Sequence, residues 1–148
     1  MAAVTIRSAK AADQPTIRRF IKDANLNPMS LQWQNFLVAE QGRVVVGVGQ
    51  VKPHRDGSLE LASMAVAPGH RGQGIGAALI EKLIARQPNA VLHLTCRREL
   101  VGYYEQFGFR RLVAAEYPPY FRRLIPLVNL VARVFATRIV VMRRDLAA

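Results

Sequence analysis

Residues 59–83 read LELASMAVAPGHRGQGIGAALIEKL and join a strand to a helix through a glycine-rich turn. The strand-forming residues give way to Pro-Gly-His, to alternate glycines, and then to apolar residues at helical spacing. The first N–H groups of a helix have no partner within the helix and lie at the positive end of its dipole. Glycines also let a backbone approach a ligand closely. The segment therefore predicts a phosphate site formed by Gly72, Gly74 and Gly76, with Arg71 adding a cation.

The strand in this segment changes its apolar face partway along. Leu59 and Leu61 share one side, whereas Met64 and Val66 have the opposite parity. Because successive side chains of a strand alternate between faces, the change predicts a β-bulge near residues 62–64. A bulge leaves backbone groups unpaired, so we expect a ligand to pair with the backbone of this strand.

Length and composition indicate one globular domain over residues 1–148, with 51% apolar and 21% charged residues. The longest apolar run near the end, Leu124–Ala132, contains Pro126 and is too short to cross a bilayer. The first residues do not show a basic segment followed by an apolar block, so we expect no signal peptide. The one cysteine, Cys96, excludes an internal disulfide framework and fits a reducing compartment, which predicts a cytoplasmic protein.

The chain is strongly basic, with a formal net charge of +11, and 17 of its 21 basic residues are arginines. Such a charge favours anionic ligands, nucleic acid or acidic membrane. No zinc-finger, RNA-binding or helix-turn-helix signature accompanies it, which disfavours nucleic acid as a partner. The alternative is an ordinary solvated surface, with part of the charge used by a phosphate-rich ligand.

The periodicity along the chain predicts a mixed α/β fold. Turns at Gln41-Gly42 and Asp56-Gly57 join three successive strands as antiparallel neighbours, whereas the strand at Ala90–Thr95 follows a helix and is expected to run parallel to Ser58–Val66. The strands are predicted at Val4–Ser8, Leu37–Glu40, Arg43–Val51, Ser58–Val66, Ala90–Thr95, Phe109–Ala115 and Ile139–Arg143. Helices are predicted after an N-cap at Asp13, after a cap at Ser30, from Ile75, over Glu99–Gln106 and over residues 120–135.

The glycine turn also fits the dinucleotide fingerprint G-x-G-x-x-A over Gly72–Ala77. That fingerprint requires an initial βαβ unit and an acidic residue about 20 positions later. Here the turn follows antiparallel strands, and the next strand ends in Thr-Cys-Arg-Arg at residues 95–98. The context therefore disfavours a dinucleotide site.

Two motifs resemble the signatures of the GNAT family of N-acetyltransferases. Arg71–Gly76 resembles the acyl-CoA signature R/Q-x-x-G-x-G/A and follows Val66-Ala67-Pro68, while Tyr104–Phe109 resembles the second signature, Y-E-x-x-G-F. With the order of elements, the resemblance covers nearly the whole chain and implies a mainly antiparallel sheet with a central, splayed parallel strand pair, flanked by helices. One departure is Arg97, where many members have an Asn that contacts CoA.

The resemblance implies an acetyltransferase that uses acetyl-CoA as co-substrate, needs no metal and transfers acetyl directly to a primary amine of a small molecule or peptide. It gives Tyr104 the role of protonating the leaving thiolate, and Glu60 that of the base that deprotonates the amine. A backbone N–H near Met64 or Ala65 would stabilise the oxyanion. The expected acyl-CoA contacts are Met64, Ala65 and Val66 along the pantetheine, and Arg71, Gly72, Gln73, Gly74, Ile75 and Gly76 at the pyrophosphate.

Each candidate has a purely structural alternative. Tyr104 also fits the apolar face of its predicted helix, and Glu60 fits a solvent-facing strand position. His54 and Glu40 are weaker candidates for the base. The remaining residues with chemical potential are His93, expected to be a hydrogen-bonded core residue, Cys96, expected to pack rather than react, and Arg97 and Arg98, which contact CoA phosphates or only solvent.

Two other functions are left open by the sequence. One is a GNAT-like module that binds acyl-CoA as a sensor without catalysis. The other is a basic docking protein that uses Tyr120–Phe135 on acidic membrane or nucleic acid, although Pro126 and the need to cover a sheet favour a core-packing helix. The acceptor is not identified: the first helices and Ala115–Val134 are expected to build its pocket, whose arginines favour an acidic substrate. A homodimer is also left open.

Overall fold

The computed structural model describes residues 3–146 and contains a seven-stranded mixed sheet flanked by helices, which confirms the predicted fold class. The strand order is β1-β2-β3-β4-β5-β7-β6. The strands are β1 (Val4–Ser8), β2 (Phe36–Gln41), β3 (Val44–Pro53), β4 (Leu59–Val66), β5 (Leu92–Arg97), β6 (Arg110–Arg111) and β7 (Ile139–Arg144), and the helices are α1 (Gln14–Asp23), α2 (Ile75–Ala85), α3 (Val101–Glu105) and α4 (Pro119–Ala132).

The pairing pattern follows the expected connections. The pairs β1–β2, β2–β3, β5–β7 and β6–β7 are antiparallel, whereas β4 and β5 are parallel at Leu59↔Leu92 and Glu60↔His93. A parallel pair requires a crossover, and α2 is part of the connection here. None of the helices between residues 3 and 146 combines the length and hydropathy needed to cross a bilayer.

The described chain divides into two compact units, and the division falls within β4. The first unit contains the chain up to Lys52 together with Leu61–Gln87, and the second contains Pro53–Glu60 and the chain from Pro88.

In the first unit, one face of α1 packs against the sheet and forms a hydrophobic core with it. Its apolar residues recur at helical spacing, so that Ile17 and Ile21 are fully buried beside Phe36, Val38 and Val48. On the far side of the sheet, α2 lies close to β3, since a side chain at Gly47 would meet Ile75 and Leu79 at 3.1–3.2 Å.

Of the two predicted helix caps in the first unit, one has the right position and the other is wrong. Asp13 is the N-cap residue of α1, as predicted, but its side chain makes no capping bond, because its carboxylate accepts hydrogen bonds from the Arg7 guanidinium at 2.8 and 3.1 Å and from the backbone N–H of Lys10 at 2.7 Å. The hydrogen bond from Arg7 lowers the pKa of this carboxyl. Ser30 does not begin a helix: it has φ of +58°, and only a 3₁₀ turn forms, over Trp33–Asn35.

In the second unit, α4 covers β7. Phe121 and Ile125 of α4 are buried with Leu112 and Val141. The helix continues past Pro126 and ends at Ala132, with a 3₁₀ turn over Arg133–Phe135 completing the predicted span.

The predicted strand at Phe109–Ala115 is wrong in length, since β6 contains only Arg110 and Arg111. The N–H of Leu112 still donates to the carbonyl of Val141, but the next N–H, of Val113, donates to the Glu116 carboxylate at 3.1 Å. The side chain of Glu116 therefore turns the chain away from the ladder into a 3₁₀ turn.

The other predicted bounds in this unit shift by a few residues. β5 begins two residues later than expected, at Leu92. The expected helix at Glu99–Gln106 becomes a 3₁₀ turn over Arg98–Leu100 followed by the short α3. Gly108, with φ of +90°, ends this segment as the sequence predicts.

Candidate active site

The glycine turn has the backbone geometry that the sequence predicts. After a 3₁₀ turn at Pro68–His70, Gly72 and Gly74 have φ of +75° and +81°, values that residues with a Cβ rarely adopt. Gly74 is the N-cap of α2, and its carbonyl accepts the N–H of Ala78 at 3.0 Å. The N–H groups before Ala78 have no partner within the helix. The start of α2 can therefore bind an anion, such as a phosphate, through its backbone.

The cation at this turn is already engaged with the neighbouring strand. Nε of Arg71 donates to the backbone carbonyl of Val66 at 3.2 Å, and the side chain is otherwise exposed. Binding of a pantetheine-like chain to that carbonyl would require Arg71 to release it. Gln73, the remaining polar side chain of the motif, is exposed.

Strand β4 is irregular where the parity change predicts a bulge. Ser63 has φ of +58° within the strand, and its hydroxyl accepts a hydrogen bond from the Gln50 amide at 2.8 Å. The next residue, Met64, packs against Gly49, which leaves no space for a Cβ at that glycine. This confirms a backbone distortion at the predicted position.

A cavity of about 220 Å³ opens beside this strand within the first unit. Its lining includes Ala65, Val66 and Arg71, which are all predicted cofactor contacts. It also includes three residues on one face of α1: Arg19, Phe20 and Asp23. We did not predict Arg19 or Asp23 as site residues, although their i, i+4 spacing on the polar side of the helix places them on one face.

In the second unit, Glu60 is buried at 7% exposure and paired with His54. Nε2 of His54 lies 2.8 Å from Oε1 of Glu60, so the two candidate bases that the sequence suggested separately are one hydrogen-bonded pair. The alternative that Glu60 is a solvent-facing strand residue is wrong. The Tyr120 ring stacks on the imidazole with ring centres 3.5 Å apart, which fixes its orientation.

The loop that carries His54 is tied to the beginning of α4 by Asp56. Its carboxylate accepts the backbone N–H of Tyr120 at 2.9 Å, and the N–H and hydroxyl of Ser58 at 2.8 and 2.6 Å. Desolvation opposes the charged form, but the hydrogen bonds from Ser58 and Tyr120 outweigh it and lower the pKa of Asp56 to about 2.

Tyr104 lies half-buried on α3, with its ring in edge contact with Tyr103 and Phe109 at 5.1 and 6.4 Å between ring centres. Burial raises the pKa of its hydroxyl to about 12. The hydroxyl therefore stays protonated at neutral pH and is available as a hydrogen-bond donor.

The other sequence candidates have structural roles or none. Glu40 is bound to Arg7 at 3.0 Å. His93 is buried as expected, but neither ring nitrogen has a hydrogen-bond partner between residues 3 and 146, so the prediction that it is hydrogen-bonded is wrong. Burial and the nearby Arg143 lower its pKa. Cys96 is buried with its thiol pKa raised to about 11, mainly by burial, which agrees with a packing role.

Arg97 and Arg98 are exposed, and Arg98 pairs with the neighbouring Glu99 at 3.3 Å. Over the described part of the chain, no cluster of three or more His, Cys, Asp or Glu side chains could hold a metal ion.

Comparison with known proteins identifies the same family that the two motifs resemble. The model of the acetyltransferase (GNAT) domain matches residues 32–111, more than half of the chain. No curated protein matches the chain.

Solved structures share the fold at low sequence identity. N-acetylglutamate synthase from Neisseria gonorrhoeae, complexed with coenzyme A and N-acetyl-glutamate, has a TM-score of 0.75 and 21% identity; the match covers 100% of this chain and 36% of that one. This chain thus spans about a third of the synthase. Rv2747 from Mycobacterium tuberculosis, in complex with CoA and NLQ, has a TM-score of 0.72 and 19% identity over 97% and 99% of the two chains. A ribosomal-protein alanine N-acetyltransferase from Escherichia coli has a TM-score of 0.69 and 21% identity over 99% and 96%.

Proposed function

The chain belongs to the GNAT acetyltransferase family, and on that premise we propose that it transfers an acetyl group from acetyl-CoA to a primary amine. The observation that carries this proposal is the turn at Gly72 and Gly74, whose positive φ values lead the backbone into the first turn of α2. Two structural neighbours were crystallised with CoA. We propose that residues 1–148 act as one GNAT domain in the cytoplasm.

In the proposed complex, the acetyl-CoA pyrophosphate binds the backbone N–H groups of Arg71–Gly76 and the dipole of α2. The pantetheine lies along Met64–Val66, beside the distortion at Ser63. The 220 Å³ cavity is smaller than a whole cofactor and suits the acetyl end together with the amine. A backbone N–H of Met64 or Ala65 stabilises the oxyanion.

The reaction is a direct displacement at the thioester carbonyl. The amine nitrogen forms a bond to the carbonyl carbon, the carbon–sulfur bond breaks, and the CoA thiolate leaves with its electron pair. The nitrogen loses one proton, and the thiolate gains one. Since a lysine-like amine is mostly protonated at neutral pH, it must also lose a proton before it attacks.

We assign the removal of this proton to the pair of His54 and Glu60. A carboxylate bound to one imidazole nitrogen fixes the tautomer, and it stabilises the imidazolium when the other nitrogen accepts a proton. Nδ1 of His54 makes no hydrogen bond to any described residue, so it is the nitrogen left to act. In this assignment, Glu60 positions His54 and stabilises its charged form. His54 takes the proton from the amine, directly or through a water molecule.

Tyr104 serves as the donor to the leaving sulfur. Its pKa of about 12 lies above that of an ordinary thiol, about 8.5, so complete transfer to a free thiolate is uphill by about 5 kcal/mol. A hydrogen bond to the developing negative charge is therefore the contribution that its chemistry supports, with the final proton coming from water.

Asp23 is the acidic side chain of the cavity, and Arg19 the second cation beside Arg71. An ammonium group is attracted by a carboxylate, whereas a carboxylate-bearing acceptor is attracted by the two guanidinium groups. An amino acid carries both groups. Amino acids, acidic ones included, are therefore the first acceptors to test.

The experiment is a screen for acceptor-dependent CoA release, with thiol detection and mass spectrometry of the product. The panel contains amino acids, polyamines, aminoglycosides and lysine peptides. The proposal predicts a product that is one acetyl group heavier than its amine. Tight acetyl-CoA binding without CoA release over the whole panel would instead indicate a sensor and overturn the catalytic proposal.

A further inference from the structure

Helix α4 and the turn after it expose a second apolar surface, opposite the one that packs on the sheet. The inner residues Phe121 and Ile125 are buried against Leu112 and Val141. The outer residues are 61–80% exposed, although each is large and apolar. This outer patch consists of Leu127, Leu130, Val131, Val134 and Phe135.

The outer patch is concentrated along the chain. Five of the twelve large apolar side chains that are exposed among residues 3–146 fall within residues 127–135. At 3.6 residues per turn, Leu127, Leu130 and Val131 lie on one side of α4, and Val134 follows in the 3₁₀ turn. The core covers only the face of α4 that carries Phe121 and Ile125, and an exposed apolar patch of this kind marks a surface that contacts a partner or a membrane.

Arginines without an acidic partner among the described residues lie in the same segment as the outer patch. Arg122, Arg123, Arg133 and Arg138 are exposed, and residues 117–144 contain no Asp or Glu. The side chains of Arg123, Arg133 and Arg138 form no hydrogen bond or ion pair with any described residue. By contrast, Arg110 in the same unit is paired with Glu116 and Asp145.

A cavity of about 410 Å³ lies beside the patch. Its lining includes Leu130 together with Arg133 and Arg138. Two guanidinium groups next to an aliphatic side chain can bind a phosphate that is attached to a hydrocarbon.

We propose that the outer patch docks the protein on an anionic lipid bilayer, with the leucines and valines in the acyl boundary and the arginines at the lipid phosphates. This combination of apolar side chains with arginines matches the chemistry of such a surface. A second copy of the chain would bring two rings of arginines together without an acidic partner. Nucleic acid would leave the aliphatic side chains without cover.

The test measures co-sedimentation of the full chain with phosphatidylcholine vesicles, with and without phosphatidylserine. We expect sedimentation with the anionic vesicles only, weakened by salt. Leu130→Glu should abolish it, whereas Val44→Glu, which adds the same charge at an equally exposed apolar residue, should not. The double variant R123Q/R133Q should weaken binding by roughly fivefold per arginine.

Circular dichroism checks that each variant is folded. We expect both glutamate variants to fold, because Leu130 and Val44 are exposed. Failure of the parent chain to bind anionic vesicles would overturn the proposal, as would equal binding by the Leu130→Glu variant. A dimer in sedimentation velocity that Leu130→Glu dissociates would also overturn it, because a second copy then covers the patch. Binding to duplex DNA that exceeds binding to vesicles would have the same consequence.

Discussion

Substitution of Gly74 tests whether the turn before α2 holds the pyrophosphate. Gly74 has φ of +81°, and a Cβ built there meets no atom within 4 Å, so an alanine has space but an unfavourable backbone. The left-handed conformation costs an L-residue about 1–2 kcal/mol. Gly74→Ala should therefore lower the free energy of unfolding by about this amount. Gly69 is equally uncrowded and lacks a positive φ, so Gly69→Ala should cause a much smaller change.

Charge at the same position separates binding from folding. Two unit charges 4 Å apart repel by about 1 kcal/mol in water and about 4 kcal/mol at an effective dielectric constant of 20. Gly74→Glu should thus weaken acetyl-CoA affinity at least about fivefold, and by nearly a thousandfold at the lower dielectric constant. Calorimetry gives the affinity and denaturant unfolding gives the stability of each variant, with Gly69→Glu as the charge-matched control. A folded Gly74→Glu protein with parental affinity would refute the placement of the pyrophosphate at α2.

Three further perturbations test the second unit. Tyr104→Phe removes a hydrogen-bond donor to the developing charge, so it should lower kcat by roughly a hundredfold and leave acetyl-CoA affinity unchanged, whereas the neighbouring Tyr103→Phe should change neither. An unaltered kcat would remove Tyr104 from the mechanism. Both His54→Gln and Glu60→Gln should lower kcat, but His54→Gln should lower it more, because it removes the base itself; a larger loss in Glu60→Gln would make Glu60 the base. The Asp56 carboxyl, with a pKa of about 2 when folded against 3.8 ordinarily, stabilises the fold above about pH 4, so the advantage in Tm over Asp56→Asn should disappear as pH falls towards 2. A difference in Tm that does not change over this range would contradict the role of these hydrogen bonds.

The elements predicted best are those whose signals are local. Positive φ values at Gly42 and Gly57 occur where dipeptide turns were expected, and those at Gly72 and Gly74 lie in the glycine motif. The backbone distortion at Ser63 follows from side-chain parity alone. Such features depend on a few neighbouring residues, so that sequence patterns are sufficient to find them.

The predictions that failed depend on which of several nearby groups a side chain or a backbone N–H binds. Asp13 lies at the N-cap position of α1, but its carboxylate binds Arg7 on β1 instead of the helix backbone. The strand from Phe109 has suitable residues, but the Glu116 carboxylate binds the N–H of Val113 and a 3₁₀ turn begins there. No local pattern reports which of two acceptors a donor selects.

The candidate site shows the same distinction. The motif residues of the turn were predicted from the sequence, whereas the pairing of His54 with Glu60 depends on how the two side chains are directed across the turn at Asp56-Gly57. The cavity residues Arg19 and Asp23 are part of an ordinary amphipathic helix. Their relevance appears only when α1 packs beside β4 in the first unit.

Titration of the unmodified chain with acetyl-CoA by isothermal calorimetry tests the central claim most directly. Acyl transfer at the glycine turn requires that the cofactor bind there without an acceptor present. We predict saturable binding of one acetyl-CoA per chain at micromolar protein, reduced by Gly74→Glu. The absence of binding by a folded protein at that concentration would contradict the proposed function.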